Sequence, residues 1–174
     1  SAGRQCLVFF CNPNNPTGTA HSAATVEKFI RGVKQASPDT KILMDEAYID
    51  YVDAKDYPDS MALRREHPNL VILRTFSKFF AIAGVRVGYM MAAPEICNEV
   101  RKARLPYSVN LFSETAVMVA LDEIAYLKEQ VRESIAQRES LLLALREFPG
   151  LRVYPSDANF ILVRALNGAA LFHH

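Results

Sequence analysis

The chain has 174 residues, half of them hydrophobic, and a formal net charge of +1, which is typical of a globular protein with a sizeable core. Its basic residues are scattered, so no nucleic-acid partner is expected. We find no apolar run long enough for a membrane span and no secretory signal, which favours a cytoplasmic location. The three cysteines match no metal or disulfide spacing and are expected to be core thiols.

The first predicted element is a strand in the apolar run "QCLVFFCNP", Gln5–Pro13. A continuous apolar run closed by turn residues indicates a strand that is buried on both faces. After the loop "NNPTGT", Ser22 is placed to cap a helix that ends near Ser37–Asp39. The apolar face of this helix is formed by Val26, Phe29, Ile30 and Val33.

Two further buried strands are predicted, "KILMDEAY" at 41–48 and "NLVILRTFS" at 69–77, joined by a polar crossover. The order strand, helix, strand, crossover, strand is typical of a parallel sheet flanked by helices. The sequence thus predicts an α/β fold for residues 1–109.

The second part of the chain is helical in pattern over 110–147. A helix from Ile124 to Glu147 would be about 36 Å long, and Pro149 with Gly150 would end it. Its apolar stripe comprises Ile124, Leu127, Val131, Ile135, Leu142 and Leu145. The runs "LRVYP" and "NFILVR" then predict two strands of a small C-terminal α/β domain that begins at residue 148.

Polar residues follow each of the three strands of the predicted parallel sheet, and the carboxyl ends of such strands are where ligands bind. The candidates are Asn15 after the first strand, Asp45 and Tyr48 towards the end of the second, and Thr75, Ser77, Lys78 and Arg86 at or beyond the end of the third. Hydroxyls and cations suit a phosphate, and an aspartate suits a cationic ring nitrogen. Pyridoxal phosphate combines both with a carbon that reacts with amines.

Lys78 stands in the run "RTFSKFFAIAGVRVGY", where the only other cation between it and Tyr89 is Arg86. Burial of an ammonium is costly unless it is paired or neutral. Apolar surroundings favour the neutral, nucleophilic amine. The alternative is a structural lysine that extends from a strand end to water.

The segments "NPNNPTGT", "DEAYIDY" and "RTFSKFFAIAGVRVGY", in this order, resemble the fold-type-I, class I/II aminotransferases that use pyridoxal phosphate. The likeness extends through "RKARLPYSVN" and "LREFPGLRVYPSDANFILVR", and is greatest to the histidinol-phosphate aminotransferases. It implies an aspartate aminotransferase-like fold with a mostly parallel sheet, and a homodimer in the full-length form.

The resemblance also implies a role for each candidate. Lys78 would bond covalently to the cofactor aldehyde and then move the proton between substrate Cα and cofactor C4′. Asp45 would pair with the ring nitrogen, and Tyr48 with Asn15 would hydrogen-bond the phenolic oxygen. Thr75, Ser77 and Arg86 would hold the phosphate.

Other residues near these motifs are assigned to structure. Glu46 is expected to be an ion-pair or capping partner, and Gly84 and Gly88 to allow backbone turns or close approach to the phosphate. The Asn15–Pro16 peptide bond is expected to be cis, which proline makes inexpensive and the resemblance implies.

The resemblance implies that the chain is the central piece of a longer enzyme. Upstream, the family has a glycine-containing phosphate loop, an aromatic that stacks on the cofactor, and a tyrosine donated across the dimer interface. Downstream it has an arginine that binds the acidic group of the substrate. We therefore expect the isolated chain to be inactive.

Three functions are consistent with the sequence. The first is transfer of an amino group between histidinol phosphate, or a similar amine, and a 2-oxo acid such as 2-oxoglutarate. The second is a decarboxylase like those that act on threonine phosphate, which share the Asn-Pro-Thr-Gly and lysine motifs. The third is a non-catalytic domain of a regulator that senses pyridoxal phosphate.

Overall fold

The computed structural model describes residues 6–173 and contains two sheets. The larger sheet has the order β1-β2-β3-β4. Its strands are β1 (Leu7–Cys11), β2 (Lys41–Asp45), β3 (Leu70–Thr75) and β4 (Gly88–Met91). The first three are parallel, and β4 is antiparallel to β3. The predicted α/β architecture is confirmed, with β4 as an edge strand that the sequence pattern did not indicate.

Each crossover connection between the parallel strands contains a helix. Helix α1 (Ala23–Ala36) begins at Ser22, whose side chain accepts a hydrogen bond from the Thr25 amide, and ends before Ser37. Helix α2 (Ser60–Glu66) lies in the polar crossover and is capped by Asp59. The main core joins α1 to the sheet, and its fully buried members are Val26, Ile30, Ile42, Met44, Leu70 and Ile72.

Strand β1 differs from the prediction that both of its faces are buried. Phe10 packs against the core cluster, but Phe9 is 68% exposed and Leu7 is 54% exposed. An edge strand has a neighbour on one side only, and the face that carries Phe9 is not covered by the described residues. Both faces of β1 therefore carry apolar side chains, but only the face with Phe10 is packed by the described residues.

Three helices follow β4. These are α3 (Pro94–Ala103), α4 (Leu111–Asp122) and α5 (Ile124–Arg146). The long helix α5 begins at the predicted residue and ends one residue earlier than expected. Leu127, Val131 and Leu142 of its predicted stripe are buried. No helix among residues 6–173 has the length and apolar character needed to cross a membrane.

The second sheet is a short antiparallel pair, β5 (Leu151–Val153) and β6 (Val163–Ala165), followed by helix α6 (Gly168–His173). The prediction of a strand over "NFILVR" is wrong for its first four residues. There the chain turns instead, because the Ser156 hydroxyl donates to the Phe160 carbonyl at 2.6 Å and accepts from the Ala158 amide at 3.1 Å.

The prediction that the cysteines are core thiols is also wrong. Cys6 is exposed, and Cys11 and Cys97 are half-buried. Burial raises the pKa of the Cys11 thiol, and the nearby Asp45 carboxylate adds to this effect. The thiol of Cys11 therefore favours its neutral form in the folded chain.

Candidate functional site

The parallel register brings the three loops that carry the predicted site residues to the same end of the sheet. Cys11 pairs with Asp45, and Asp45 pairs with Leu73. Beyond the strand ends, the Asn12 amide donates to the Asp45 carbonyl at 2.9 Å, and the Glu46 amide donates to the Leu73 carbonyl at 2.9 Å. The loops that carry the predicted residues therefore leave the sheet side by side, as expected at the carboxyl ends of parallel strands.

Five of the seven predicted site residues line one open cleft of about 340 Å³. They are Asp45, Thr75, Ser77, Lys78 and Arg86. The Asp45 side chain is held in place by the Ala47 amide, which donates to its Oδ1 at 3.0 Å. The cleft therefore combines the carboxylate of Asp45 at the end of β2 with hydroxyls and three cationic residues, Arg74, Lys78 and Arg86, at or beyond the end of β3.

The remaining two predicted residues form a pair beside Lys78. The Asn15 side-chain amide donates to the Tyr48 hydroxyl at 3.1 Å. The Lys78 ammonium nitrogen lies 5.3 Å from the centroid of the Tyr48 ring. Tyr48 is buried while Asn15 is exposed, so the rigid tyrosine positions the more accessible amide.

Lys78 itself is only half-buried, which corrects the expectation of a lysine enclosed in an apolar run. The neighbouring Phe76 packs inward against Phe80 and Tyr89, whereas the lysine faces the open cleft. Its carbonyl accepts hydrogen bonds from the Ala81 amide at 3.0 Å and from the Tyr51 hydroxyl at 3.3 Å. The backbone at Lys78 is thus anchored while its amine stays accessible.

Two turns carry the residues that are predicted to bind phosphate, Thr75 with Ser77 and Arg86. The Ser77 amide donates to the Thr75 hydroxyl at 3.0 Å, which closes the turn after β3. Arg86 is exposed and has a left-handed backbone with φ of 55°, an unusual conformation for a residue with a side chain. Its guanidinium donates to the Ala83 carbonyl at 2.9 Å.

The glycines around Arg86 were expected to allow backbone turns or close approach to the phosphate, and the approach to the phosphate stays a prediction. The left-handed position in this turn belongs to Arg86 itself. A Cβ on Gly88 would lie 3.0 Å from the Arg74 carbonyl oxygen, so Gly88 permits close contact between β4 and β3. A Cβ on Gly84 would meet nothing within 4 Å among the described residues.

Glu46 forms an ion pair, as predicted. Its Oε2 accepts from Arg74 Nε at 2.9 Å and from the Ser60 hydroxyl at 3.0 Å, and the carboxylate is 1% exposed. Its other oxygen, Oε1, is buried without a hydrogen bond from the described residues. Burial raises the pKa of the Glu46 carboxyl and outweighs the lowering effect of Arg74 and Ser60.

Two residues that contact the elements of the candidate site were missed by the sequence analysis. Arg138 of α5 is 6% exposed and donates to the carbonyls of Tyr51 and Ala158 at 3.1 and 3.3 Å. Phe160 packs edge-on against Tyr48 with ring centroids 5.1 Å apart. A signal for Arg138 existed, since it continues the apolar stripe of α5 between Ile135 and Leu142. Phe160 had no such signal.

The loop that carries Asn15 is tied to the same C-terminal segment. Gly18 has φ of 72°, and a Cβ there would lie 2.3 Å from the Ser156 hydroxyl oxygen. The Asp157 amide donates to the Gly18 carbonyl at 2.7 Å. The Asn15–Pro16 bond is cis, as predicted, and the Asn12–Pro13 bond is also cis.

The donor set fits the cofactor that the sequence implies. Four kinds of group lie together at the carboxyl ends of the parallel strands. They are a carboxylate suited to a cationic ring nitrogen, an amide and a phenol suited to a ring oxygen, an accessible primary amine, and hydroxyls with a guanidinium suited to a phosphate. This combination has few other uses in one cleft.

Comparison with known proteins agrees with this chemistry. The family model described as "Aminotransferase class I and II" matches residues 1–173. The chain is 44% identical over 161 residues to a histidinol-phosphate aminotransferase of Moorella thermoacetica, covering 92% of this chain and 41% of that protein. It is 41% identical over 155 residues to an aromatic amino acid aminotransferase of Mycobacteroides abscessus, covering 89% and 43%.

A solved structure has the same fold. The histidinol-phosphate aminotransferase of Sinorhizobium meliloti, in complex with pyridoxal-5'-phosphate, superposes with a TM-score of 0.82 at 29% identity. The match covers 94% of this chain and 43% of that one. The chain thus spans about two fifths of the length of the relatives that it matches.

Proposed function

The chain belongs to the class I and II aminotransferases, and from this premise we propose that the protein containing it transfers amino groups with pyridoxal phosphate as its cofactor. The observation that carries the proposal is the single cleft in which Asp45, Thr75, Ser77, Lys78 and Arg86 meet. The Asn15–Tyr48 pair stands beside it.

When bound, pyridoxal phosphate supplies an aldehyde and an electron-withdrawing ring. Thr75, Ser77 and Arg86 would hold its phosphate through hydroxyls and a permanent positive charge. Asp45 would pair with the ring nitrogen and favour its protonated form, which would strengthen the electron-withdrawing character of the ring. Asn15 and Tyr48 would hydrogen-bond the phenolic oxygen and orient the ring.

Lys78 has two roles in this proposal. Its amine would hold the cofactor through the aldehyde carbon, with release of water, until a substrate amine takes its place. The freed amine would then take the proton from substrate Cα and return it, as a general base and acid. The anchored backbone and accessible amine of Lys78 support both roles.

For the substrates, we propose histidinol phosphate as the amino donor and a 2-oxo acid such as 2-oxoglutarate as the acceptor. The relative with 44% identity carries that name. An aromatic amino acid is the second candidate donor, because a relative of nearly equal identity is named for it. Decarboxylation of threonine phosphate and a non-catalytic cofactor-sensing role remain the alternatives that the motifs allow.

The proposal extends to the organisation of the full-length protein. Residues 1–109 belong to the large cofactor-binding domain, 110–147 to the connecting helices, and 148–174 to the small domain. The full-length protein is a homodimer in the cytoplasm. Sedimentation of the full-length protein with and without pyridoxal phosphate tests the dimer.

The deciding experiment is a substrate panel on the full-length protein. Histidinol phosphate, phenylalanine and threonine phosphate are each supplied, the first two with 2-oxoglutarate, while glutamate and carbon dioxide are measured. Glutamate from histidinol phosphate at the highest kcat/KM is the expected result. Carbon dioxide from threonine phosphate would overturn amino transfer, and no turnover by a cofactor-loaded protein would favour the sensing role.

A further inference from the structure

The turn at 156–160 contacts both Tyr48 and the loop of Asn15, the two residues assigned to the cofactor's phenolic oxygen. Tyr48 is 7% exposed, and its ring meets the edge of Phe160 at 5.1 Å between centroids. The Asn15 loop contacts the same turn, because the Gly18 carbonyl accepts from the Asp157 amide at 2.7 Å. The single segment 156–160 thus contacts both the Tyr48 ring and the loop that carries Asn15.

This turn has a defined shape of its own. The Ser156 side chain is 6% exposed and bridges the Phe160 carbonyl and the Ala158 amide, at 2.6 and 3.1 Å. Ala158 is fully buried, and its carbonyl accepts from Arg138 of α5 at 3.3 Å. Phe160 is therefore presented from a turn that is fastened to the long helix, so its position depends on that helix.

The same helix fastens the turn that carries Tyr48. Arg138 also donates to the Tyr51 carbonyl at 3.1 Å, and Tyr51 in turn bonds to the Lys78 carbonyl. Tyr48, Tyr51 and Ala158 form one buried cluster with Val131 of α5, against which Phe160 packs. A displacement of the 156–160 turn would thus be transmitted to the tyrosine through direct ring contact.

We propose that Phe160, presented by the Ser156 turn, is a positioning residue that holds Tyr48 and, through it, Asn15 in place for the cofactor's phenolic oxygen. This inference rests on the proposed function. Phe160 is a partner of Tyr48 and not a ligand of the cofactor. The position of the small domain would in this way set the strength of two hydrogen bonds in the site.

The main test compares Phe160→Leu with Phe148→Leu in the full-length protein. Both changes replace a ring with an aliphatic group in the same region, but Phe148 is 58% exposed. The first measurement is amide hydrogen exchange of the cofactor-free protein at Ile49, Tyr51 and Val52, whose amides close the turn after β2. Loss of an aromatic pair predicts exchange about three- to tenfold faster in Phe160→Leu alone.

The second measurement follows the visible absorbance of bound pyridoxal phosphate against pH. Donors to the phenolic oxygen withdraw negative charge from it, so a loosened Tyr48 should move the midpoint of the absorbance change to higher pH, by about half a unit in Phe160→Leu. Phe148→Leu should keep the wild-type midpoint. A purely structural role for Phe160 would leave this midpoint unchanged in protein that remains folded.

A second variant covers the case in which Phe160→Leu fails to fold. Ser156→Ala removes both hydrogen bonds that shape the turn but leaves the ring in place, so it should produce the same pattern with smaller effects. Exchange that rises equally along the whole chain, or a midpoint unchanged in both variants, would overturn the proposal. If the wild-type protein takes up no cofactor, the proposed function fails, and the exchange measurement alone decides on the role of Phe160.

Discussion

The two faces of the sheet beyond the ends of β2 and β3 carry opposite kinds of polar chemistry. On one face Glu46 and Arg74 form a closed ion pair with Ser60, and the carboxylate is 1% exposed. On the other face Asp45 and Thr75, their immediate neighbours in sequence, line the open cleft with Lys78. Arg74 and Thr75 adjoin each other in β3, and both border this cleft as well as the cavity beside Glu46. Strand alternation explains the separation, since successive side chains point to opposite faces.

We infer from this comparison that one pair of strand ends can serve both stability and ligand binding. The closed face holds its charges with protein partners and ties α2 to the sheet through Ser60. The open face leaves its charges available to an external ligand. We therefore expect substitutions on the closed face to lower the free energy of unfolding, and substitutions on the open face to change cofactor binding or turnover.

The largest effect is expected for Lys78→Ala in the full-length protein. Loss of the amine should reduce kcat by about 10²–10⁴-fold, because proton transfer at substrate Cα loses its base. The cofactor should no longer be fixed to the protein by borohydride reduction, which mass spectrometry detects. Lys128→Ala, which changes an exposed lysine on α5, is the control. A cofactor that is still fixed at another lysine would contradict the assignment.

On the closed face, Arg74→Met should lower the free energy of unfolding by about 3 kcal/mol, because it leaves the buried Glu46 carboxylate unpaired. Denaturant titration measures this loss. The double variant Glu46→Leu with Arg74→Met should recover a part of it, since no buried charge remains. Arg132→Ala, which breaks an exposed pair with Glu129, should change stability by less than about 1 kcal/mol. If Arg74→Met and Arg132→Ala lowered the free energy of unfolding equally, the distinction between the buried and the exposed ion pair would be wrong.

On the open face, Arg86→Ala should weaken binding of pyridoxal phosphate by about ten- to a hundredfold, the worth of a charged hydrogen bond. Stability should stay near that of the wild type, because Arg86 is exposed and, among residues 6–173, its guanidinium hydrogen-bonds only within its own turn. Equilibrium dialysis against the cofactor measures the first quantity and thermal melting the second. Arg101→Ala on exposed α3 is the control. An unchanged dissociation constant would refute a phosphate role for Arg86.

The smallest effect concerns the pH dependence of the closed face. The pKa of Glu46 is raised above its ordinary value of 4.5, so the folded chain holds this proton more tightly than the unfolded chain. The stabilisation is complete below pH 4.5 and is lost as the pH rises through the folded-state pKa. The difference in melting temperature between wild type and Glu46→Gln should therefore decline with rising pH above that value. A difference that grows with pH would mean that Arg74 dominates.

Most of the architecture around the four-stranded sheet could be predicted from local patterns. The three parallel strands and α1 have apolar spacings that leave little choice, and Ser22 marks the start of α1. The strand over "NFILVR" was wrong in its first part, because the Ser156 side chain competes for the backbone groups of Ala158 and Phe160. Strand β4 was missed, since it has only four residues, begins with a glycine, and follows the turn of Gly84 and Arg86.

The sequence by itself determined which side chains the candidate site offers: a lysine, an aspartate, a tyrosine, hydroxyls and an arginine, each at or beyond the end of a strand of apolar residues. Only the tertiary structure decided how they are supported, because contacts such as Phe160 with Tyr48 or Arg138 with Tyr51 join segments about 90 to 110 residues apart. Local periodicity carries no information about such pairs. It also could not decide that Lys78 faces an open cleft while Glu46 is enclosed, since side-chain exposure depends on which elements pack over each face of the sheet.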